Sequence, residues 1–311
     1  MNRVVSRAMS RILAISDIHV DYQNNLKWVE SWPRERYVQD VLLLAGDVTD
    51  KLPLLESTLK TLVGKFHKVF YVPGNHELWI RDKSTTKFTS IDKFHQILDL
   101  CGSLGVLTRP DKVSTSDGGE AWVVPLFSWY ATPEEDAEDS LYYSSTSEDA
   151  DKSHLMWMDN HMCVWPEDIG SRSQFFANQN EEMMTGSYDA PIISFSHFVP
   201  RLDLVAATEE DNKMVEEERK RLGLPPLNDR KQGATVGFNF TRYAGCKRLD
   251  AQIRTLGSAV HVYGHQHRNR DRVLDGVRYV SHCLGYHREQ QNGLTWGIQH
   301  WEGPKQVWPK T

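Results

Sequence analysis

A layered α/β fold, with its chemistry gathered at one sheet edge, is what this sequence predicts, on two observations. Five short aliphatic runs each lead into a cluster of polar residues, and a helical period fills a stretch between two of them. Ile12–Ile15 leads into Ser16-Asp17-Ile18-His19, and Val41–Leu44 into Ala45-Gly46-Asp47. Val69–Val72 leads into Pro73-Gly74-Asn75-His76-Glu77, and Ile192–Phe195 into Ser196-His197. Val260–Tyr263 leads into Gly264-His265-Gln266-His267. Runs without clean alternation read as strands buried on both faces. Between the second and third, Pro53–Phe66 keeps Leu54, Leu55, Leu59, Leu62 and Val63 on a 3.6-residue period, which predicts a helix. In such sheets the loops after the strands collect at one edge, so polar clusters far apart in sequence are expected to converge.

The chain has 311 residues, 40% hydrophobic and 25% charged, enough for one large domain with a sizeable core. We read a single domain over 11–300 with insertions at about 131–190 and 201–233, and a flexible N-terminus over 1–10. The first insertion is acidic early (Glu134, Glu135, Asp136, Glu138, Asp139) and later rich in methionine and aromatics (Met156, Trp157, Met158, Trp165). The second holds a charged helical piece around Glu216–Arg221 and the Pro225-Pro226 break. Both fit either a rim around the site or surface elaboration.

Formal net charge is −6, from 36 Lys+Arg against 42 Asp+Glu. This lacks the basic footprint of a duplex-binding protein, and aromatics near Trp157 and Trp165 without cations argue against a strand-tracking groove. No nucleic-acid partner is expected. An anionic substrate would be drawn by local cations instead of the whole-protein field. No apolar run reaches the roughly 18 residues of a membrane span. Cys101, Cys163, Cys246 and Cys283 show no CxxC spacing, so the chain is read as reduced and cytoplasmic.

Asp17, His19, Asp47, Asn75, His76, His197, His265 and His267 offer carboxylate oxygens, imidazole nitrogens and an amide oxygen. That donor set suits Mn, Fe, Zn or Mg, and the absence of cysteine excludes a thiolate-based structural zinc site. On extended backbone, Asp-x-His and His-x-His place both side chains on one side, within reach of one cation or a close pair. A single Gly-Asp is usually a turn, and a lone buried histidine is usually a satisfied core residue. Five such clusters in order, each at a strand end, leave little room for coincidence. Glu77 and Asp50 fit either orienting carboxylates or surface roles. Tyr130 is placed near the site mouth, Arg268, Arg270 and Arg272 read best as a solvated basic turn, and Gly285-Tyr286-His287, after a strand read at Val277–Ser281, as a segment more often outside the pocket than bordering it.

Asp17-Ile18-His19, Gly46-Asp47, Gly74-Asn75-His76-Glu77, His197 and Gly264-His265-Gln266-His267 together resemble the five ordered motifs of the calcineurin-like metallophosphoesterases, across about residues 11–285. The resemblance implies a four-layer αββα sandwich with two mixed β-sheets and a site holding two divalent metal ions at the strand C-terminal edge. By the family's pattern Asp17, His19 and His267 hold one metal, Asn75, His197 and His265 the other, and Asp47 bridges them. His76 would touch the substrate and assist the leaving group without ligating metal. The implied reaction is hydrolysis of a phosphate ester, diester or small-molecule monoester, by hydroxide activated between cations roughly 3.5–4 Å apart. Gly46-Asp47-Val48-Thr49-Asp50-Lys51 departs from the serine/threonine protein phosphatases of this superfamily, whose second motif carries a phosphate-holding arginine. A phosphorylated small molecule is therefore the expected partner. A scaffold with the same fold and no turnover is the alternative, although every ligand position here is filled.

Overall fold

The computed structural model describes residues 10–82, 87–144, 151–226, 238–298 and 303–309. The expected strands form as β1 (Ile12–Ile15), β2 (Val41–Ala45), β3 (Lys68–Val72), β6 (Ile192–Phe195), β7 (Val260–Tyr263) and β9 (Val277–Ser281). Four more appear: β4 (Asp111–Ser114), β5 (Glu120–Pro125), β8 (Arg270–Leu274) and β10 (Lys305–Trp308). β4, β8 and β10 are edge strands whose residues are part exposed, so they lack the apolar run that marks the others.

The strands assemble as a four-stranded sheet, β10-β1-β2-β3, and a six-stranded sheet, β4-β5-β6-β7-β9-β8. β1, β2 and β3 are parallel, with β10 antiparallel at the edge. β5, β6, β7 and β9 are parallel, with β4 and β8 antiparallel at the two edges. Both are mixed sheets, and one continuous apolar core joins them. β1, β2, β6 and β7 are buried along their whole length, as strands covered on both faces must be.

Outside the first sheet, the helix Leu52–Val63 lies against β3 and against the helix Ser90–Leu104. It buries Leu55, Leu59 and Leu62, and it ends at Val63 with Gly64 as its cap, three residues before the end predicted from periodicity. Beside the second sheet, the helix Lys247–Leu256 buries Leu249 and Ile253 and packs against the short helices Arg172–Asn178 and Glu181–Met184.

The early acids of 131–190 are not a bare acidic face. Glu135 pairs with Arg172 inside the segment, while Glu134 pairs with Arg242 and Asp139 with Arg248 of the helix Lys247–Leu256, which tie the segment to the chain before β7. Arg270 and Arg272 are also not a solvated turn. They lie at the start of β8, Arg270 only 4% exposed, and both pair with Asp211 in the helix Glu209–Arg221. A hydrophobicity pattern cannot show a basic run whose partner lies some sixty residues away. Residues 1–9 and 227–233 of the expected flexible N-terminus and second insertion lie outside the described residues, whereas Ser10 is buried and bridges to Thr115. Among the described residues no helix is long and apolar enough to cross a membrane.

Two histidines of the sheet region have no part in the site. His261 on β7 is fully buried, with Nδ1 2.8 Å from the Ser194 hydroxyl and Nε2 3.0 Å from that of Ser196. Burial pushes it, and separately His282, down to about 3. Both rings are then neutral when folded and take up protons near pH 6.5 when unfolded. Their contribution is complete above pH 6.5 and is lost as pH falls from there toward 3, at up to about 1.4 kcal/mol per pH unit for each. Denaturant unfolding of metal-free protein at stepped pH should show His261→Gln with a shallower loss of stability than the parent over that window. Equal slopes would contradict the assignment.

Candidate metal centre

The loops after β1, β2, β3, β6 and β7 bring all eight predicted site residues to one edge. Their backbones are unusual: Asp17, His19, Asp47, His265 and His267 have φ of +51°, +38°, +54°, +71° and +51°. A side chain at positive φ costs about 1 kcal/mol or more, so five together require strong local support. The spacing that the sequence suggested is kept, but on left-handed turns in place of extended backbone.

The support comes from hydrogen bonds between loops. Asp17 N–H donates to Gly46 O at 2.9 Å and His19 N–H to Asp47 O at 3.1 Å. Gly264 N–H donates to His197 O at 2.8 Å, and Gly285 N–H to Asp17 O at 2.9 Å. Glu77, fully buried, accepts the N–H groups of Asp47, Val48, Thr49 and Gly74 at 2.6–3.0 Å. This one carboxylate fixes the β2 and β3 loops together, so it orients backbone and not a histidine. Asp50 pairs instead with Arg81 at the periphery. Gly74 is required where the loops touch, because a Cβ there would lie 2.2 Å from Asp47 Oδ1.

Two groups of buried ligand atoms result, and they share Asp47. Asp17, His19, Asp47 and His267 form one; Asp47, His197 and His265 form the other, each with its atoms within 4.8 Å of one another. Asn75 joins the second, its Oδ1 3.2 Å from His197 Nε2 and 3.1 Å from His265 Nδ1. Asp159 accepts from Asn75 Nδ2 at 2.8 Å, which turns the amide oxygen inward.

The tautomers decide what this arrangement can hold. His197 Nδ1 lies 2.8 Å from Ala45 O, and His265 Nε2 2.9 Å from Tyr243 O. Carbonyls only accept, so both rings carry their proton there and present bare lone pairs inward. Those lone pairs face Asn75 Oδ1 and, from His197, Asp47 Oδ1 at 3.5 Å, acceptor against acceptor. The first group is held on its outer side by a carboxylate instead of a carbonyl. His267 Nδ1 lies 2.6 Å from Glu289 Oε2, and its Nε2 faces His19 Nε2 at 3.0 Å and Asp17 Oδ1 at 3.3 Å. Burial opposes charge on His267, but Glu289 and Asp17 outweigh it and raise the ring to about 10. A point that favours one positive charge so strongly fits a metal cation, and the oxygen and imidazole donors fit a hard or borderline divalent one. Burial together with Glu77 and Asp17 raises Asp47, a further sign that this carboxylate lies where cationic charge is wanted.

His76 stands apart from both groups. Its Nε2 is 3.8 Å from Asp47 Oδ2 and 3.5 Å from Tyr286 Oη, and its ring stacks on Trp79 at 3.8 Å between centroids. Burial lowers its pKa to about 3. The ring faces a cleft of about 400 Å³ that Trp157, Arg268 and Tyr286 also line. Tyr286 therefore borders the site after all, whereas Tyr130 is buried behind Trp157 instead of reaching the mouth.

Two residues of the site escaped the sequence reading. Glu289 caps the short helix His287–Gln291 and looks there like an ordinary surface acid. Asp159 sits in the first insertion, outside any motif. Carboxylates that hold a ligating histidine typically strengthen metal affinity 10–100-fold. Calorimetric titration of Glu289→Ala with Mn should therefore show affinity reduced by about that factor, with the fold intact by circular dichroism. Unchanged affinity would mean His267 is oriented without it. Gly74→Ala should lower bound metal below the parent's content, because the new Cβ displaces Asp47.

Residues 10–201 match the calcineurin-like phosphoesterase family. The chain is 27% identical over 285 residues to the [acyl-carrier-protein] phosphodiesterase PptH of Mycobacterium tuberculosis, covering 89% of this chain and 78% of that protein. The crystal structure of phosphopantetheinyl hydrolase (PptH) from the same bacterium aligns with a TM-score of 0.68 over 97% of both chains, at 21% identity, a likeness of fold. With the mixed two-sheet architecture and the buried Asp/His groups, these matches identify the chain as a member of the calcineurin-like phosphoesterases, a metal-dependent hydrolase distinct from the serine/threonine protein phosphatases.

Proposed function

We propose that this protein hydrolyses phosphodiesters at a binuclear metal centre, with Asp47 as the ligand the two cations share. The observation that carries the reading is the pair of buried ligand groups with Asp47 in common. Asp17, His19 and His267 would complete one cation's shell, and Asn75, His197 and His265 the other's. Mn, Fe, Zn or Mg all suit these donors. Such a pair supplies a water acidified toward neutrality and positive charge opposite the phosphoryl oxygens.

The remaining work falls to the chain's own side chains. His76 is the leaving-group residue: Trp79 fixes its plane, and its backbone N–H donates to Asp47 Oδ1 at 3.0 Å. Burial holds the ring neutral. An anionic phosphoryl group beside it restores its affinity for a proton, which Nε2 then passes to the departing oxygen. Asn75 contributes a neutral oxygen, which keeps negative charge from accumulating where an anion must bind. Asp47 itself is 2% exposed, which limits the access of bulk water to it.

The likeness to the [acyl-carrier-protein] phosphodiesterase favours a diester over a monoester. Phosphopantetheine joined to a carrier protein is the first physiological candidate, alongside a small phosphorylated molecule. The four buried cysteines form no disulfide, which suits the reducing cytoplasm, where we place the protein.

Metal-stripped protein should recover turnover of a chromogenic phosphodiester on adding back Mn, Zn, Fe or Mg, and should favour it over the matching monoester. Asp47→Asn should reduce that turnover at least 100-fold, and turnover indifferent to metal removal would refute the mechanism. Replacing His76 by Asn should slow esters with poor leaving groups by about 10²–10⁴-fold and nitrophenyl esters much less. An equal loss for both would remove the proton-donor role.

A further inference from the structure

The five motifs account for the candidate ligands and for His76, and they leave the Gly285-Tyr286-His287 segment without a role. We propose that Tyr286 is a further catalytic residue, whose hydroxyl donates a hydrogen bond to the departing ester oxygen beside His76. The proposal deepens the phosphodiesterase reading and rests on it.

The place of the hydroxyl carries the assignment. Tyr286 Oη stands 3.5 Å from His76 Nε2, at the outer limit of a hydrogen bond, so the two groups do not satisfy each other. Both residues line the cleft, and Nε2 is also 3.8 Å from Asp47 Oδ2, which puts the pair beside the candidate metal centre. An oxygen in the cleft can stand about 2.8 Å from both groups at once. The position that takes a proton from Nε2 therefore lies within reach of the phenol as well.

The ring is braced on several sides. It lies tilted against His19 with centroids 4.5 Å apart, edge-on to His267 at 4.7 Å and edge-on to Tyr22 at 5.5 Å. Its backbone N–H donates to Glu289 Oε2 at 2.9 Å, the same oxygen that lies 2.6 Å from His267 Nδ1. A donor fixed before the substrate arrives needs no reorganisation during the reaction, the condition under which one hydrogen bond helps most. Packing accounts for the ring but not for the hydroxyl, because phenylalanine would fill the same space.

The substrate class proposed above calls for such a donor. Both ester oxygens of a phosphopantetheine–carrier diester are alkyl oxygens, poor leaving groups on which negative charge builds. As the attacking water oxygen bonds to phosphorus, the bond to the ester oxygen breaks and leaves its electron pair there. That oxygen takes the proton of His76 Nε2. The Tyr286 hydroxyl keeps its own proton throughout and holds the developing charge with a hydrogen bond.

The test is the leaving-group dependence of hydrolysis by Mn-loaded full-length protein. The substrates are methyl aryl phosphodiesters, with leaving groups from phenol to nitrophenol, and a dialkyl diester. Tyr286→Phe should slow the phenyl and dialkyl esters about 10- to 100-fold and the nitrophenyl ester much less. Bound Mn should stay at the parent's content, since the ring that packs on His19 and His267 remains. A merely structural role would slow good and poor leaving groups alike or lower the bound Mn, and either result would overturn the proposal. Parent rates for every ester in Tyr286→Phe would overturn it alone and leave the phosphodiesterase reading standing. A parent protein that hydrolyses none of the esters would remove that reading, and the role of Tyr286 with it.

Discussion

Two parallel sets of strands, β1-β2-β3 in one sheet and β5-β6-β7-β9 in the other, end at a common edge, and the candidate metal centre depends on that arrangement. Each strand contributes only one or two polar residues, too few to bind anything alone. Left-handed turns at Asp17, His19, Asp47, His265 and His267 bend the chain back over the edge, at a local cost that the loop-to-loop hydrogen bonds and the buried Glu77 offset. The strain is confined to the place where the chemistry occurs, and the sheets below it are regular.

A second constraint is the fixing of proton positions. Each of the three candidate ligand histidines with a described outer partner faces an acceptor on that side: Ala45 O for His197, Tyr243 O for His265 and Glu289 for His267. The inward nitrogens of His197 and His265 are bare as a result, while His267 between Glu289 and Asp17 favours a positive charge. Inward lone pairs with no proton between them favour a cation in their midst, so the protein's own hydrogen bonds fit the proposed metal centre. His261 makes the contrast. One strand over from His197, it is equally buried, but two serine hydroxyls satisfy both nitrogens and it has nothing left to bind with.

The strands and clusters that build the centre were legible because a buried parallel strand leaves a run of aliphatic residues and the loop after it leaves polar ones. The edge strands β4, β8 and β10 were not, since half their residues face water and their sequences read as loop. Arg270 and Arg272 were misread for a related reason: their partner Asp211 is adjacent only in three dimensions. The residues behind the ligands, Glu289 and Asp159, carry no local signature at all. Glu289 has the pattern of a helix cap, and Asp159 lies in a segment with no motif, so only the folded chain shows that each carboxylate faces the site.

The central claim is that Asp47 joins two cations. Electron paramagnetic resonance of metal-free protein loaded with two equivalents of Mn²⁺ addresses it without relying on any substrate. Two ions bridged by Asp47 should give an exchange-coupled multiline spectrum that collapses to isolated-ion signals in Asp47→Asn. A spectrum of isolated ions in the unaltered protein, or one equivalent bound with no second site, would contradict the account.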